Sequence, residues 1–485
     1  MTRRLVRGSG VYGHDGSDSL LITDGSITAI GKCGRLNAPG IEVVDYGTGV
    51  IVPTLHDHHF HPIGYASAVT GLSLKNAMNF DDLISKLRAH ADLLERGDAL
   101  VGNRLDEEQM TERRLPTRFD LDRAVPERPA LLYRYCGHVA IANTAALRRA
   151  GVGGDGILRE DAIQPVSNAI SAIQPALHPD AVRRALSGLS SLGLGRITAI
   201  VSAGEPMWCG VADEIGTLQS VADGLPLDIE TLVIASTPAE LEGAAESLAH
   251  GPPNVRFLGW KEFGDGSLGG RTAALFEPYS DDPQTSGTLR LDIGHARHMA
   301  EACLGMGGTV AVHAIGDLAN DRVLDLFEVL ARGGADPGRL RIEHASVLTP
   351  GAVDRMAALG VTASVQPAFV ASEREWLPKR LGPRVARTYP FAALAEAGVP
   401  MVGGSDCPVE APNPWSGIAA AAGPAGLGPR AAMDLFARPL TEGMGADFLV
   451  IDRDPRSSPE IGATRVVASF RHGQPLVLVD EVPFR

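Results

Sequence analysis

VIVPTLHDHHFHP, Val50 to Pro62, is the stretch from which the rest of the chain can be organised: an apolar run enters His56, Asp57, His58, His59 and His61. The run is short and rich in β-branched residues, which fits a buried parallel strand. Alternate residues of a strand share a face, so His59 and His61 point the same way where the strand ends. Two imidazoles on one face there make half of a metal site, the competing reading being a solvated polar turn. By the same alternation His56 and His58 are expected on the other face with no ligand role. Asp57 shares the face of His59 and is a candidate for supporting a ligand.

The chain has 485 residues, enough for one large catalytic domain and a smaller one. Hydrophobic residues make up 44% and charged residues 21%, as in globular proteins. A net charge of -14 argues against nucleic acid or an anionic membrane as partner. The expected partners are a small-molecule substrate and, in a homodimer, a second copy of the chain. Five cysteines without paired spacing argue for a reducing compartment and against a disulfide framework or thiolate zinc site. No secretory signal or membrane-length apolar run is found, so a cytoplasmic location is expected.

Both ends are β-rich. Residues 19–23 and 26–31 flank Asp24-Gly25, a hairpin signal, and 42–46 form another short strand. Near the other end, 446–452, 464–470 and 475–479 alternate in the same way, with a turn at Arg471-His472-Gly473. The two ends, 1–50 and 440–485, are expected to build one small β-sandwich. Between them, 51–439 alternates short apolar strands with helical segments, the pattern of parallel βα units. Strands at 196–201, 227–234, 255–263, 309–313, 340–344, 361–366 and 400–406, with the one entering His59, make eight. Eight such strands predict an α/β fold, a (β/α)₈ TIM barrel, with its chemistry at the C-terminal strand ends. The gap between His61 and Arg196 is far longer than one crossover needs. An inserted α+β subdomain over about 65–185 is therefore expected, overhanging the mouth as a substrate lid or serving only stability or dimer contacts.

The strand ends carry the chemistry. They supply His59 and His61, then Lys261, His313, His344 and Asp406. Four imidazoles, a lysine and a carboxylate suit two divalent metals sharing a hydroxide, and ligation without thiolate favours zinc. A CO2-derived carbamate on Lys261 turns it into a bridging ligand; its alternative is a charged lysine paired with Glu262 or Asp265. Asp406 is the candidate general base and acid for the hydroxide that attacks a carbonyl. Weaker candidates are His138, Arg271 and Gln366 for substrate binding. His138 is equally readable as a structural histidine, and Asp317 is either a support for a ligand histidine or a helix cap.

The order His-x-His, Lys, His, His, Asp resembles the amidohydrolase superfamily. KEFGDGSLGGRTAAL (261–275), HAIGD (313–317), RIEHA (341–345) and GGSDCPV (403–409) are similar to the branch, amidohydrolase family 3, that includes N-substituted formamide deformylase. LPTRFDLD (115–122) and GHVAIAN (137–143) of the insertion fit that branch too. The resemblance implies hydrolysis of a non-peptide C–N bond, with Lys261 carboxylated. Deamination of a nitrogen heterocycle and ester or lactone hydrolysis are the alternatives on the same site; a ligand-depleted scaffold is the non-catalytic one. The chain departs from the branch at Thr54, where Gly is usual, at Val201-Ser202 in place of His-Asp, and at Cys136 in place of Asp. It is also shortened after Pro424.

Overall fold

The computed structural model describes residues 3–207 and 210–479. The two chain ends meet in two sheets. One is built from Arg3–Arg7, Ser19–Thr23, Ser26–Gly31 and Glu42–Asp45. The other comprises Gly10–Val11, Val50–Pro53, Phe448–Ile451, Val466–Arg471 and Gln474–Pro475. Val6, Leu20 and Ile22 of the first sheet share one apolar cluster with Ile51, Phe448 and Phe470 of the second. The hairpin at Asp24-Gly25 forms with φ of 46° and 82° at its two turn residues. Positive φ at both is what a tight two-residue turn requires, and glycine adopts it without a Cβ clash. The last strand stops at Pro475 rather than running through 475–479.

The opening stretch divides between two sheets, which corrects its reading as one barrel strand. Val50–Pro53 pairs with Phe448–Ile451 in the sandwich, and the barrel's first strand is Leu55–Phe60. The apolar run is continuous because both of its faces are covered. Ile51 points into the sandwich core, and Val50 and Val52 pack into the barrel cluster.

Eight parallel strands form the central sheet: Leu55–Phe60, Leu194–Ser202, Asp228–Ile234, Val255–Phe263, Thr309–Ala314, Leu340–His344, Thr362–Val365 and Met401–Gly403. The first and last are joined by Asp406 N to His59 O (2.8 Å) and His61 N to Cys407 O (2.9 Å), which closes the barrel despite the shortened segment after it. Ile197, Ala199 and Val201 face outward onto helices, whereas Ile200 meets Leu232 and Ala311 in a small inner cluster.

A β-bulge in the first strand overturns the simple alternation. Ile197 faces Asp57 and Ala199 faces Phe60, so His58 and His59 together oppose Thr198. A bulge puts two successive residues on one side of the ladder. His56 bonds Thr198, on the Ile200 side, through Nε2 (3.0 Å) and stacks on His58, their ring centroids 3.5 Å apart. His56 and His58 therefore occupy the barrel interior below His59, and Asp57 lies on the opposite face.

Helices Pro62–Thr70 and Pro179–Ser187 pack into the barrel core through Ile63, Tyr65, Val182 and Leu186. Between them lies a separate five-stranded sheet, Leu72–Ser73, Leu100–Leu105, Ala130–Arg134, Val139–Ala142 and Ile157–Arg159, with an apolar core on each face. Within the insertion Arg134 Nε meets Glu107 at 2.8 Å, and Arg380, which also pairs with Asp281, ties the insertion to the barrel loops by reaching Glu108 at 2.6 Å.

Candidate metal centre

His59, His61, Lys261, His313, His344 and Asp406 line one cavity of about 660 Å³ at the C-terminal strand ends. Insertion residues Tyr133, Tyr135, Cys136, His138 and Glu160 line it from above. His59 Nε2 lies 3.3 Å and His61 Nε2 3.2 Å from Asp406 Oδ1. Donor atoms of these three residues all fall within 4.8 Å of one another, the spacing of ligands around one cation. The rings of His59 and His344 are 4.7 Å apart, and those of His344 and His313 4.5 Å, so the second pair continues the first.

Three of the four imidazoles are held by a partner on one ring nitrogen, as an orienting contact. His59 Nδ1 meets Glu343 Oε2 at 2.5 Å and His344 Nδ1 meets Gln366 Oε1 at 2.7 Å. His313 Nε2 lies 3.0 Å from Gly266 O. Such partners fix ring orientation and tautomer in metal sites. Two strand ends pass through the left-handed region, with φ of 74° at His344 and 56° at Asp406. Strain of this kind at non-glycine residues persists only where the surroundings over-determine it.

Burial dominates the electrostatics. It holds His313 and His344 well below the ordinary imidazole range, so both rings are neutral and their lone pairs available. It also lowers the Lys261 amine to about 8, and no ion pair of Lys261 is present among the described residues. Lys261 Nζ instead donates to Glu262 O at 3.2 Å and lies 3.8 Å above the Phe263 ring. Burial would raise Asp406, but His59 and His61 outweigh it and keep the carboxyl well below its usual range. Burial opposes a charge on His59 too, yet Asp406 and Glu343 overcome it and raise that ring. A proton there meets the electrostatic demand of two carboxylates, the same demand a cation meets.

The weaker candidates from the sequence take the following places. Asp317 is the first residue of helix Asp317–Arg332 and accepts from Phe276 N (3.0 Å), so it secures a loop rather than a ligand histidine. Arg271 is bound to Asp281 (2.9 Å) and is not among the cavity's lining residues. Gln366 is buried behind His344 and likewise does not line the cavity. Asp57 supports the site from the outer face, accepting from His59 N (3.1 Å), Ser405 N (2.9 Å) and Ser405 Oγ (2.5 Å). Asp265 does not pair with Lys261; it accepts from the backbone N–H of Ala274, Ile315 and Gly316 and stands 3.4 Å from His313 Nε2. The residues overlooked are Glu343 and Arg341. Their signal is a pair of opposite charges alternating along the apolar strand Leu340–His344. Cys136 and Ser202, two departures from the family words, both lie on the cavity wall.

A closed parallel barrel, a histidine-rich strand end and a buried His-His-Asp cluster define the class of metal-dependent hydrolases. The chain belongs to the amidohydrolase family, whose model matches residues 42–425. It is 31% identical to the putative amidohydrolase YtcJ of Bacillus subtilis over 84% of this chain and 80% of that one. N-substituted formamide deformylase of Arthrobacter pascens is 23% identical over 83% and 80% of the two chains. Among solved structures, an uncharacterized metal-dependent hydrolase from Pyrococcus horikoshii matches with a TM-score of 0.73 and 26% identity, covering 95% of this chain and 99% of that one. No helix among the described residues is long and apolar enough to cross a membrane.

Proposed function

We propose that the chain hydrolyses a non-peptide C–N bond, the amide of a small molecule. The observation that carries this is the convergence of His59 and His61 Nε2 on one oxygen of Asp406, at 3.3 and 3.2 Å, in a cavity roofed by the insertion. The donor set fits divalent metal, zinc being the expected ion: imidazole and carboxylate, no thiolate, and rings oriented from behind. His59, His61 and Asp406 would hold one ion, His313 and His344 a second, and a carbamate on Lys261 would join them. When bound, such ions polarise a carbonyl and lower the pKa of water to about 7. The remaining work falls to the protein. Asp406, kept ionised by His59 and His61, takes the proton of the attacking water and returns it to the leaving nitrogen. The depressed Lys261 amine supplies the neutral form that reacts with CO2. The apolar walls, including Phe263, Leu268 and Phe369, exclude bulk water. The relative named as an N-substituted formamide deformylase supports an amide over an ester.

Metal content per chain, measured beside Lys261→Ala, tests this. About two ions, falling in the variant, is expected for a bridged pair. One ion, unchanged by the substitution, would remove the bridging role of Lys261 and favour a mononuclear deaminase.

A further inference from the structure

One carboxyl in the cavity wall has no part in the metal centre and no cation of its own. Glu373 lines the cavity together with Tyr135, Phe369 and Tyr389. Its Oε2 accepts from Tyr389 Oη; among the described residues its Oε1 has no donor, and the side chain has no ion pair. Its place relative to the metal centre is set by one helical turn. Phe369 stacks on His344, with ring centroids 6.3 Å apart and planes 5° from parallel. Glu373 caps the short helix Phe369–Ser372, and its N donates to Phe369 O at 3.0 Å. Residues four apart share a helix face, a step of about 5–6 Å between Cβ atoms. Phe369 thus lies against the ligand histidine and Glu373 one turn farther along the wall. Tyr389 is pinned from behind: its N donates to Ser346 O at 2.7 Å, and its φ of 48° is strained for a side-chain-bearing residue.

The neighbouring cations are already paired. Arg134 meets Glu107 at 2.8 Å, Arg380 meets Glu108 at 2.6 Å and also Asp281, and Arg271 meets Asp281 at 2.9 Å. Arg134, Arg380 and Arg271 therefore serve Glu107, Glu108 and Asp281, and Glu373 is left over. Burial lifts its carboxyl to about 7 against the hydrogen bond from Tyr389; Glu410 adds to the rise, and Arg134 and Arg380 oppose it without pairing. A carboxyl stripped of water and given no counter-charge is stabilised by any cation brought to it, which also draws off a proton it holds.

Resting on the amide reading above, we propose that Glu373 receives a positively charged amine of the substrate, while Phe369 packs along the tether that joins this amine to the amide at the metal centre. The substrate class is then a small amide bearing an ammonium, such as a singly acylated alkyl diamine. An ammonium brings three donors and no acceptor, which suits the unoccupied Oε1. The apolar Phe369 ring suits methylenes and offers nothing to a polar tether. Tyr389 is a positioning residue, acting through the carboxyl it holds. A hydrogen bond between charged partners in such a wall favours the ammonium amide over a neutral one of equal length by about tenfold or more.

The test uses the full-length, zinc-loaded protein and three formamides of matched length: N-formyl-1,4-diaminobutane, N-pentylformamide and 5-formamidopentanoate, which end in an ammonium, a methyl and a carboxylate. The same three are made with a tether two methylenes longer. The reading is the ratio of kcat/KM for the ammonium over the neutral amide. About tenfold or more is expected for the parent at one of the two lengths, with the anionic amide the poorest of the three. This reading needs no variant. Glu373→Gln keeps the volume and an acceptor but not the charge, and should bring the ratio close to one; Tyr389→Phe should lower it in part. Zinc content and thermal unfolding show that each variant is folded. If the parent cleaves ammonium and neutral amides equally at both lengths, or if folded Glu373→Gln keeps the parent's ratio, the proposal is overturned while amide hydrolysis stands. If the zinc-loaded parent cleaves none of the amides, the amide reading fails and the proposal with it.

Discussion

Removing the charge of Glu343 should loosen the metal centre without touching a ligand. Glu343 is fully buried; its Oε2 lies 2.5 Å from His59 Nδ1, and its Oε1 2.5 Å from Arg341 Nε. Arg341 is buried as well, and it also bonds Ser364 Oγ (3.1 Å) and the His58 carbonyl. The carboxyl is held well below its usual range: burial pushes it up, but Arg341 and His59 together prevail. Two costs follow from substitution. Glu343→Gln keeps the volume and an acceptor for His59 Nδ1 but withdraws the charge that makes the imidazole a stronger ligand, so metal affinity should fall about 10–100-fold. Glu343→Ala also strands the Arg341 guanidinium in the barrel, which costs about 3–5 kcal/mol when one partner of a buried pair is removed. Competition of zinc against a chelator measures the first effect, and urea unfolding of the metal-free protein the second. Metal affinity unchanged in Glu343→Gln would refute the carboxylate-to-His59 coupling, whatever the stability result. A Glu343→Ala variant as stable as the parent would show that Arg341 finds another partner or water.

Two further outcomes are expected. Lys261 is lowered by burial to about 8, so in the fold its charged form is disfavoured; its neutral fraction rises about fivefold between pH 7 and pH 8. Bicarbonate-dependent metal loading should rise over that interval and level off above it, and loading independent of bicarbonate at every pH would refute the carbamate. By the same linkage the burial penalty on Lys261 is present below pH 8 and is relieved as pH rises toward the unfolded lysine value. Asp57 accepts three hydrogen bonds, two of which, from Ser405, join the first strand to the loop after the eighth. Asp57→Ala should cost about 1–3 kcal/mol and Asp57→Asn much less, since Asn keeps the acceptor for both backbone N–H groups. Thermal unfolding of both variants checks this, and equal losses would mean that the hydrogen bonds are not what joins the two strands.

Strand count, barrel class, sandwich ends and the six residues that meet at the cavity were all legible in the chain. Each rests on a local rule: apolar runs bounded by turns mark the strands, and in a parallel barrel the C-terminal ends face one mouth. Those rules need no knowledge of which strands pair. Parity within the first strand was not legible, because the bulge at His58 and His59 is set by pairing with Leu194–Ser202 and leaves no mark on the spacing of the histidines. The split of VIVP from LHDHHF was hidden for a related reason. A strand covered on both faces reads the same whether its covers are helices or another sheet.

The sequence by itself therefore determined which side chains meet at the cavity and at which end of the barrel they gather. Only the tertiary structure decided what each of them leans on. Glu343 behind His59, Gln366 behind His344, Asp57 beneath Ser405 and Glu160 behind His138 are partners far apart along the chain. A side-chain hydrogen bond depends on positions in space to within a few tenths of an ångström. Strand periodicity conveys only which face a residue occupies, and in the first strand the bulge changes even that.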